Sequence, residues 1–255
     1  MKVKKILCIL FATALLLAGC SSPDPQQGTE TTEATQPDPS DPAAQITLLM
    51  NAVNTWRVVN DFDAAETYYY TVTDLDQNGR LEILAASTQG TGIYTYGVLY
   101  EVSADFASVQ ECATPCMEDG GDLPELIINS TPAAYNEADR TFDYLFTNDT
   151  RNGAAEHYQS IVAVRLQNGV LSCTTLANSY DHYIDEGIEE HEYAVLSGDV
   201  RLPATASDYA AVASNYQAER VGFTAQFEWF NFGSEVNESV LQSSWNVFRS
   251  SLEIG

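Results

Sequence analysis

Between Asp74 and Glu82 the chain reads Asp-Leu-Asp-Gln-Asn-Gly-Arg-Leu-Glu, and its side-chain oxygens recur at a spacing that wraps a hard cation. Counting from Asp74, carboxylate or amide oxygens fall at positions 1, 3 and 5 (Asp74, Asp76, Asn78), a glycine at 6 (Gly79), a backbone carbonyl at 7 (Arg80) and a carboxylate at 9 (Glu82). These are most of the donors of a calcium cage, in which the glycine permits the sharp turn and the ninth position binds directly or through water. An EF-hand needs a bidentate Glu at position 12, where this chain has Ala85. A plainer reading makes Asn78-Gly79 a type I′ hairpin turn. That explains two residues but gives no reason to crowd Asp74, Asp76 and Glu82, whose mutual repulsion favours a divalent ion. Calcium is therefore the expected cofactor, with Asp74, Asp76, Asn78, Arg80 and Glu82 as its ligands.

The loop must be held by strands rather than helices. Thr67 to Thr73 is aromatic and β-branched, and Leu81 to Ala86 continues in apolar residues. The arrangement of aromatic strand, D-x-D-x-N-G-x-x-E and apolar strand resembles the calcium loops of FG-GAP and VCBS-type repeats. It is also similar to a segment of Gram-positive bacterial lipoproteins without assigned activity. The resemblance covers about twenty residues. A propeller repeats such a loop in every blade, whereas here there is one clear copy.

The N-terminus carries an address. Lys2, Lys4 and Lys5 precede an apolar run from Ile6 to Leu17 and then Leu17-Ala18-Gly19-Cys20, the three parts of a secretory signal peptide over residues 1–19. The run is shorter than the roughly twenty residues of a membrane span. Leu-Ala-Gly-Cys resembles the lipobox of bacterial lipoproteins, which implies that Cys20 is diacylated on sulfur and becomes the first mature residue. Residues 20–43 are Ser, Thr, Pro, Gln, Asp and Glu with almost nothing apolar, a composition that reads as a disordered tether. Residues 44–255 have the length of one single-core domain.

Charge excludes several classes. The chain has 11 basic against 36 acidic residues. All its lysines are Lys2, Lys4 and Lys5, so every later cation is an arginine. Such a surface repels phosphate backbones, so no nucleic acid is expected as a partner. The absence of later lysines also removes Schiff-base chemistry, the Walker A loop and the Ser-x-x-Lys nucleophile. Beyond Cys8 and Cys20 there are Cys112, Cys116 and Cys173, an odd set allowing at most one internal disulfide. A Cys112–Cys116 bridge around Pro115 is sterically conceivable, and Cys173 could take either partner.

Along the domain, Asp41-Pro42 reads as an N-cap and first helical residue, with Ile46, Leu49, Met50, Val53 and Trp56 at helical spacing. Gln89 to Gly92 reads as a turn and Ile93 to Val102 as a strand. Glu118, Asp119 and Asp122 around Gly120-Gly121 read as a solvated loop, with a second, weak cation site as the sharper alternative. Three strands follow, over Phe142–Phe146, His157–Leu166 and Val170–Ala177, the last two joined at Asn168-Gly169. Asn148, Thr150, Asn152, Gly153 and Glu156 echo the calcium spacing but lack aspartates at its first positions, and read as a turn. The cluster from His182 to Glu192 reads as an acidic start to a helix over Tyr193 to Leu196 rather than a zinc site. Thr205 caps a helix through Tyr216, Phe223 to Phe232 reads as one strand, and Asn237 opens an amphipathic helix bearing Val240, Leu241, Trp245, Phe248 and Leu252.

The expected fold is α+β, an antiparallel meander sheet with helices packed on one face. No catalytic residue is singled out: there is no Gly-x-Ser-x-Gly, zincin helix or phosphate loop. The expected function is a non-enzymatic surface protein on the extracytoplasmic face of the cell membrane. It is anchored through lipid on Cys20, is stabilised by one calcium ion, and binds an extracellular ligand or protein. The alternatives are an extracytoplasmic hydrolase using a carboxylate pair and a glycan-binding module using exposed aromatics.

Overall fold

The computed structural model describes residues 38–58, 68–89, 94–116, 123–184, 187–198, 200–232 and 236–252. The leader, Cys20, most of the tether, Gly90 to Gly92, and the acidic loop with Glu118, Asp119 and Asp122 lie outside them. Among the described residues no helix is long and apolar enough to cross a membrane.

The fold is α+β, and its antiparallel strands form two sheets. The first helix, α1 (Pro42–Asn51), starts where the Asp41 carboxylate accepts the Ala43 N–H at 2.9 Å and Pro42 occupies the first turn. It breaks at Ala52, and the short α2 (Val53–Trp56) carries Trp56 into the core, where its indole N–H donates to the Leu49 carbonyl at 2.7 Å.

The five-stranded sheet contains β1 (Tyr69–Thr73), β2 (Glu82–Gln89), β3 (Tyr94–Val102), β4 (Val109–Glu111) and the distant β12 (Phe230–Asn231), in the order β12-β1-β2-β3-β4. The seven-stranded sheet contains β5 (Ser130–Asn136), β6 (Thr141–Asn152), β7 (Glu156–Gln167), β8 (Val170–Ile184), β9 (Gly187–Ser197), β10 (Val200–Ala204) and β11 (Val221–Gln226), in the order β10-β9-β8-β7-β6-β5-β11. Asn168 and Gly169, at φ 53° and 73°, turn β7 into β8 in the left-handed conformations a type I′ hairpin requires. Gly153, at φ 68°, lies between β6 and β7, while Asn148, Thr150 and Asn152 run along β6 itself and form no cage.

One hydrophobic core joins the two sheets. Tyr70, Val72, Ile83 and Leu99 from the first belong to the same buried cluster as Phe142, Tyr144, Phe146 and Val164 from the second. The C-terminal helix α4 (Glu238–Ser250), capped by Asn237, adds Leu241, Trp245 and Phe248. Beyond the short β12, Ser244 of α4 serves the open edge of β1: its hydroxyl accepts the Val72 N–H at 2.9 Å and donates to the Glu228 carbonyl at 2.7 Å. Helix α3 (Ala206–Ala218) begins in a capping box between Thr205 and Asp208 and packs Tyr209 and Val212 against Ile161, Ala177 and Val195 of the seven-stranded sheet.

Two local expectations are corrected. Residues 182–184 and 187–196 are strand, not an acidic helix start, with Asp185 and Glu186 outside the described residues. They pair β8 with β9 in the register Tyr180↔Glu192, Asp181↔His191 and His182↔Glu190. Their charges are spread across two neighbouring strands, where Asp181 meets His191 at 2.8 Å, instead of gathering at a helix N-terminus. Likewise Phe223 to Phe232 is two strands. Phe223 lies in β11 of one sheet and Phe230 in β12 of the other, with Phe227 buried between them.

Candidate metal centre

Asp74 follows the last residue of β1 and Glu82 opens β2, and the ladder pairs Thr73 with Glu82 across the hairpin. The chain closes this loop through left-handed backbone at Gln77 (φ 51°) and Gly79 (φ 82°), the second a conformation glycine adopts without strain. Asp74, Asp76 and Glu82 each offer a carboxylate oxygen, and these atoms all lie within 4.8 Å of one another. A metal ion fits this group, the one set of three such ligands to converge among the described residues.

The surroundings make that cluster unfavourable without a cation. Asp74 is 7% exposed and Glu82 is fully buried. Glu82 Oε2 accepts from the Thr73 hydroxyl at 2.9 Å and the Leu75 N–H at 2.8 Å, and Asp74 Oδ2 accepts from the Gly79 N–H at 3.1 Å. The other oxygen of each, Asp74 Oδ1 and Glu82 Oε1, is buried and has no hydrogen-bond partner among the described residues. Burial, and then the charge of Asp76, push the Asp74 carboxyl up to about 7. Burial, and then the charge of Asp74, push Glu82 well above the ordinary carboxylate range. Burial also raises Asp76. Buried, unpartnered acceptors within a cluster of carboxylates are the arrangement a divalent ion relieves.

The other two expected ligands are Asn78, whose side chain has several hydrogen-bond partners of its own, and Arg80, expected through its backbone carbonyl. Asn78 lies in the loop, but its Oδ1 accepts the Arg80 N–H at 2.8 Å, and its Nδ2 donates to Asp76 Oδ2 at 3.0 Å and to Glu101 Oε1 at 2.8 Å. These bonds link Asp76 of the loop to Glu101 of β3. Arg80 directs its guanidinium away to Glu101 at 2.7 Å and to the Val102 carbonyl at 3.2 Å.

Three supporting residues were missed by sequence reasoning. Gln45 of α1 is buried. Its Nε2 donates to the Gly79 carbonyl and its Oε1 accepts from the Leu81 N–H, both at 2.8 Å, so the helix grips both sides of the loop's end. Tyr144 of β6 donates its hydroxyl to the Leu75 carbonyl at 2.9 Å and ties the loop to the second sheet. Glu101 of β3 stands opposite Glu82. A polar residue on the apolar stripe of α1 was the available signal for Gln45, as was a lone acid between Tyr100 and Val102 for Glu101.

A second polar cluster has different geometry. His157 Nε2 lies 2.7 Å from Asp149 and its Nδ1 3.4 Å from Asp181, which in turn meets His191. The four residues come from β6, β7, β8 and β9 and form a ladder across the strands rather than a convergent ligand set. Open depressions on the seven-stranded sheet are lined by Tyr158, Ser160, Asn178, Tyr180, Glu192 and Arg201, none of them a residue of the carboxylate cluster.

No known protein family, curated protein or solved structure matches this chain.

Proposed function

We propose that this chain is a lipid-anchored, extracytoplasmic surface protein whose β1–β2 hairpin is pinned by one calcium ion, and that it binds an extracellular ligand or protein without catalysing a reaction. The observation that carries the ion is the pair of buried oxygens without partners among the described residues, Asp74 Oδ1 and Glu82 Oε1, on two members of a cluster of three carboxylates. Calcium suits the site because all its donors are hard oxygens and its coordination tolerates irregular geometry. Asp74, Asp76 and Glu82 are the protein's charged ligands, with the Arg80 carbonyl and water completing the shell and Asn78 bracing it. Support for the membrane address is the Leu-Ala-Gly-Cys pattern ending at Cys20 and the polar segment that follows. Isothermal titration of calcium into the chelator-stripped full chain tests the ion site. One site per chain, lost in Asp76→Ala, is the expected result, and heat-silent titration of the wild type contradicts it.

A glycan-binding role for the open face of the seven-stranded sheet is favoured by one observation. Tyr158 and Tyr180 stand side by side with ring centroids 4.9 Å apart, and Asn178, Glu192 and Arg201 line the same depression. Aromatic rings flanked by planar polar groups are the chemistry that stacks on and hydrogen-bonds a sugar. Affinity electrophoresis in cell-wall polysaccharide tests this: retardation that Tyr158→Ala abolishes supports it, and unretarded migration of the wild type rejects it.

A further inference from the structure

Where the two sheets meet at their edges, the chain leaving β4 crosses to the seven-stranded sheet. Cys112 still belongs to the first sheet, its N–H donating to the Leu99 carbonyl at 2.8 Å. Ala113 then bridges to Val170 in parallel, its N–H donating to the Gly169 carbonyl at 2.9 Å and its carbonyl accepting from the Leu171 N–H at 2.8 Å. One turn further on, Cys116 Sγ lies 2.8 Å from Cys173 Sγ of β8. That is closer than two unbonded sulfurs sit comfortably, and it leaves a small movement to the roughly 2.05 Å of a disulfide. Both residues are partly exposed, whereas Cys112 is buried.

We propose that Cys116 and Cys173 form the disulfide of the mature protein, a covalent staple between the segment that leaves β4 and strand β8, and that Cys112 remains a thiol. The contact with Cys173 lowers the Cys116 pKa, so Cys116 supplies the thiolate. Burial, with the charge of Glu101 beside it, pushes the Cys112 thiol up to about 12 and keeps it inert. The oxidant is a disulfide-form compound, either a small-molecule disulfide or an extracytoplasmic dithiol oxidase. The Cys116 thiolate attacks one donor sulfur, forming a mixed disulfide and releasing one donor thiolate. The Cys173 thiolate then attacks the Cys116 sulfur and displaces the second. Two protein thiols and one donor disulfide become one protein disulfide and two donor thiols, with two electrons and two protons passing to the donor. Formation in the cell rests on the extracytoplasmic placement proposed above, since such compartments are oxidising; the chemistry of the pair does not.

The test uses the full chain, reduced, equilibrated with glutathione disulfide, then denatured and alkylated without reductant before peptide mapping. The expected result is one linked species containing Cys116 and Cys173, with Cys112 carrying the alkyl group, whether calcium or chelator is present. That independence separates this result from the ion site. Alkyl groups on both Cys116 and Cys173, or a link from either to Cys112, overturns the proposal. In the same preparation the oxidised protein melts higher than the reduced protein. Cys173→Ser is expected to lose that difference, and Cys112→Ser to keep it.

Discussion

Glu82 and Glu101 face each other as direct partners in the β2–β3 ladder, both with about 1% exposure or less, and among the described residues only Glu101 has a cation. Arg80 reaches Glu101 at 2.7 Å, and Asn78 adds a hydrogen bond. Glu82 has instead Thr73, the Leu75 N–H and two more carboxylates. Like charges directly opposed across a ladder are destabilising unless each is neutralised. One member of the pair is served by the chain, and the calcium ion proposed here serves the other.

Replacing Asp74 with Asn separates these two effects. The amide keeps the size of the side chain but removes one of three crowded charges. In chelator at pH 8, Asp74→Asn should unfold at higher denaturant than the wild type, a gain of about 2–4 kcal/mol, the order of the penalty implied by a carboxyl raised from 3.8 to about 7. In saturating calcium the order should reverse. A variant less stable than the wild type under both conditions would mean that the carboxylate is a structural hydrogen-bond acceptor and no more.

Acidity gives an independent signature. The folded-state pKa of Asp74 lies above its value in the unfolded chain, so between about pH 4 and pH 7 the native protein holds a proton that the unfolded chain has released. Stability of the chelated protein therefore falls as pH rises through this window and levels off above it, with Glu82, also raised, extending the fall upward. Urea melts in chelator at pH 5 and pH 8 should differ in that direction, and Asp74→Asn should flatten much of the slope. Calcium affinity should move the opposite way, strengthening as pH rises and protons leave the ligands.

Arg80→Ala leaves Glu101 buried beside Glu82 with its cation gone. A loss of about 3 kcal/mol in urea unfolding is expected, as for any buried pair deprived of one partner. Adding calcium should not recover it, because Glu101 lies outside the proposed cage. Full recovery in calcium would place Glu101 among the ligands.

Gln45→Ala removes both grips of α1 on the loop and strands the Gly79 carbonyl and Leu81 N–H. The cost should be about 1–3 kcal/mol for the buried Leu81 N–H left unpaired, and less for the carbonyl of exposed Gly79, which water can serve, together with faster calcium release in stopped-flow chelation. An unchanged release rate would show that the loop holds its shape without the helix.

Much of this arrangement was legible in local chemistry. Asp41-Pro42, Thr205 with Asp208, Asn237 and Asn168-Gly169 each mark an element boundary through bonds made within a few residues, and the structure places helices and a hairpin there. The convergence of Asp74, Asp76 and Glu82 was likewise written in their spacing. What was not legible depends on distant partners. The division into two sheets turns on β12 returning to β1, and β5 on pairing with both β6 and β11. The stretch 187–196 is strand because β9 lies between β8 and β10, which the acidic residues alone cannot announce. Gln45, Tyr144 and Glu101 brace the loop from elements separated from it in sequence, so only packing shows their role.

The most direct measurement is differential scanning calorimetry of the chelator-stripped protein and of Asp76→Ala, each scanned with and without calcium. Calcium pinning of the β1–β2 hairpin predicts an upward shift in melting temperature for the wild type that grows with calcium concentration, and no shift in the variant. Superimposable wild-type scans with and without calcium would contradict it and reduce the loop to a hairpin turn with three crowded acids.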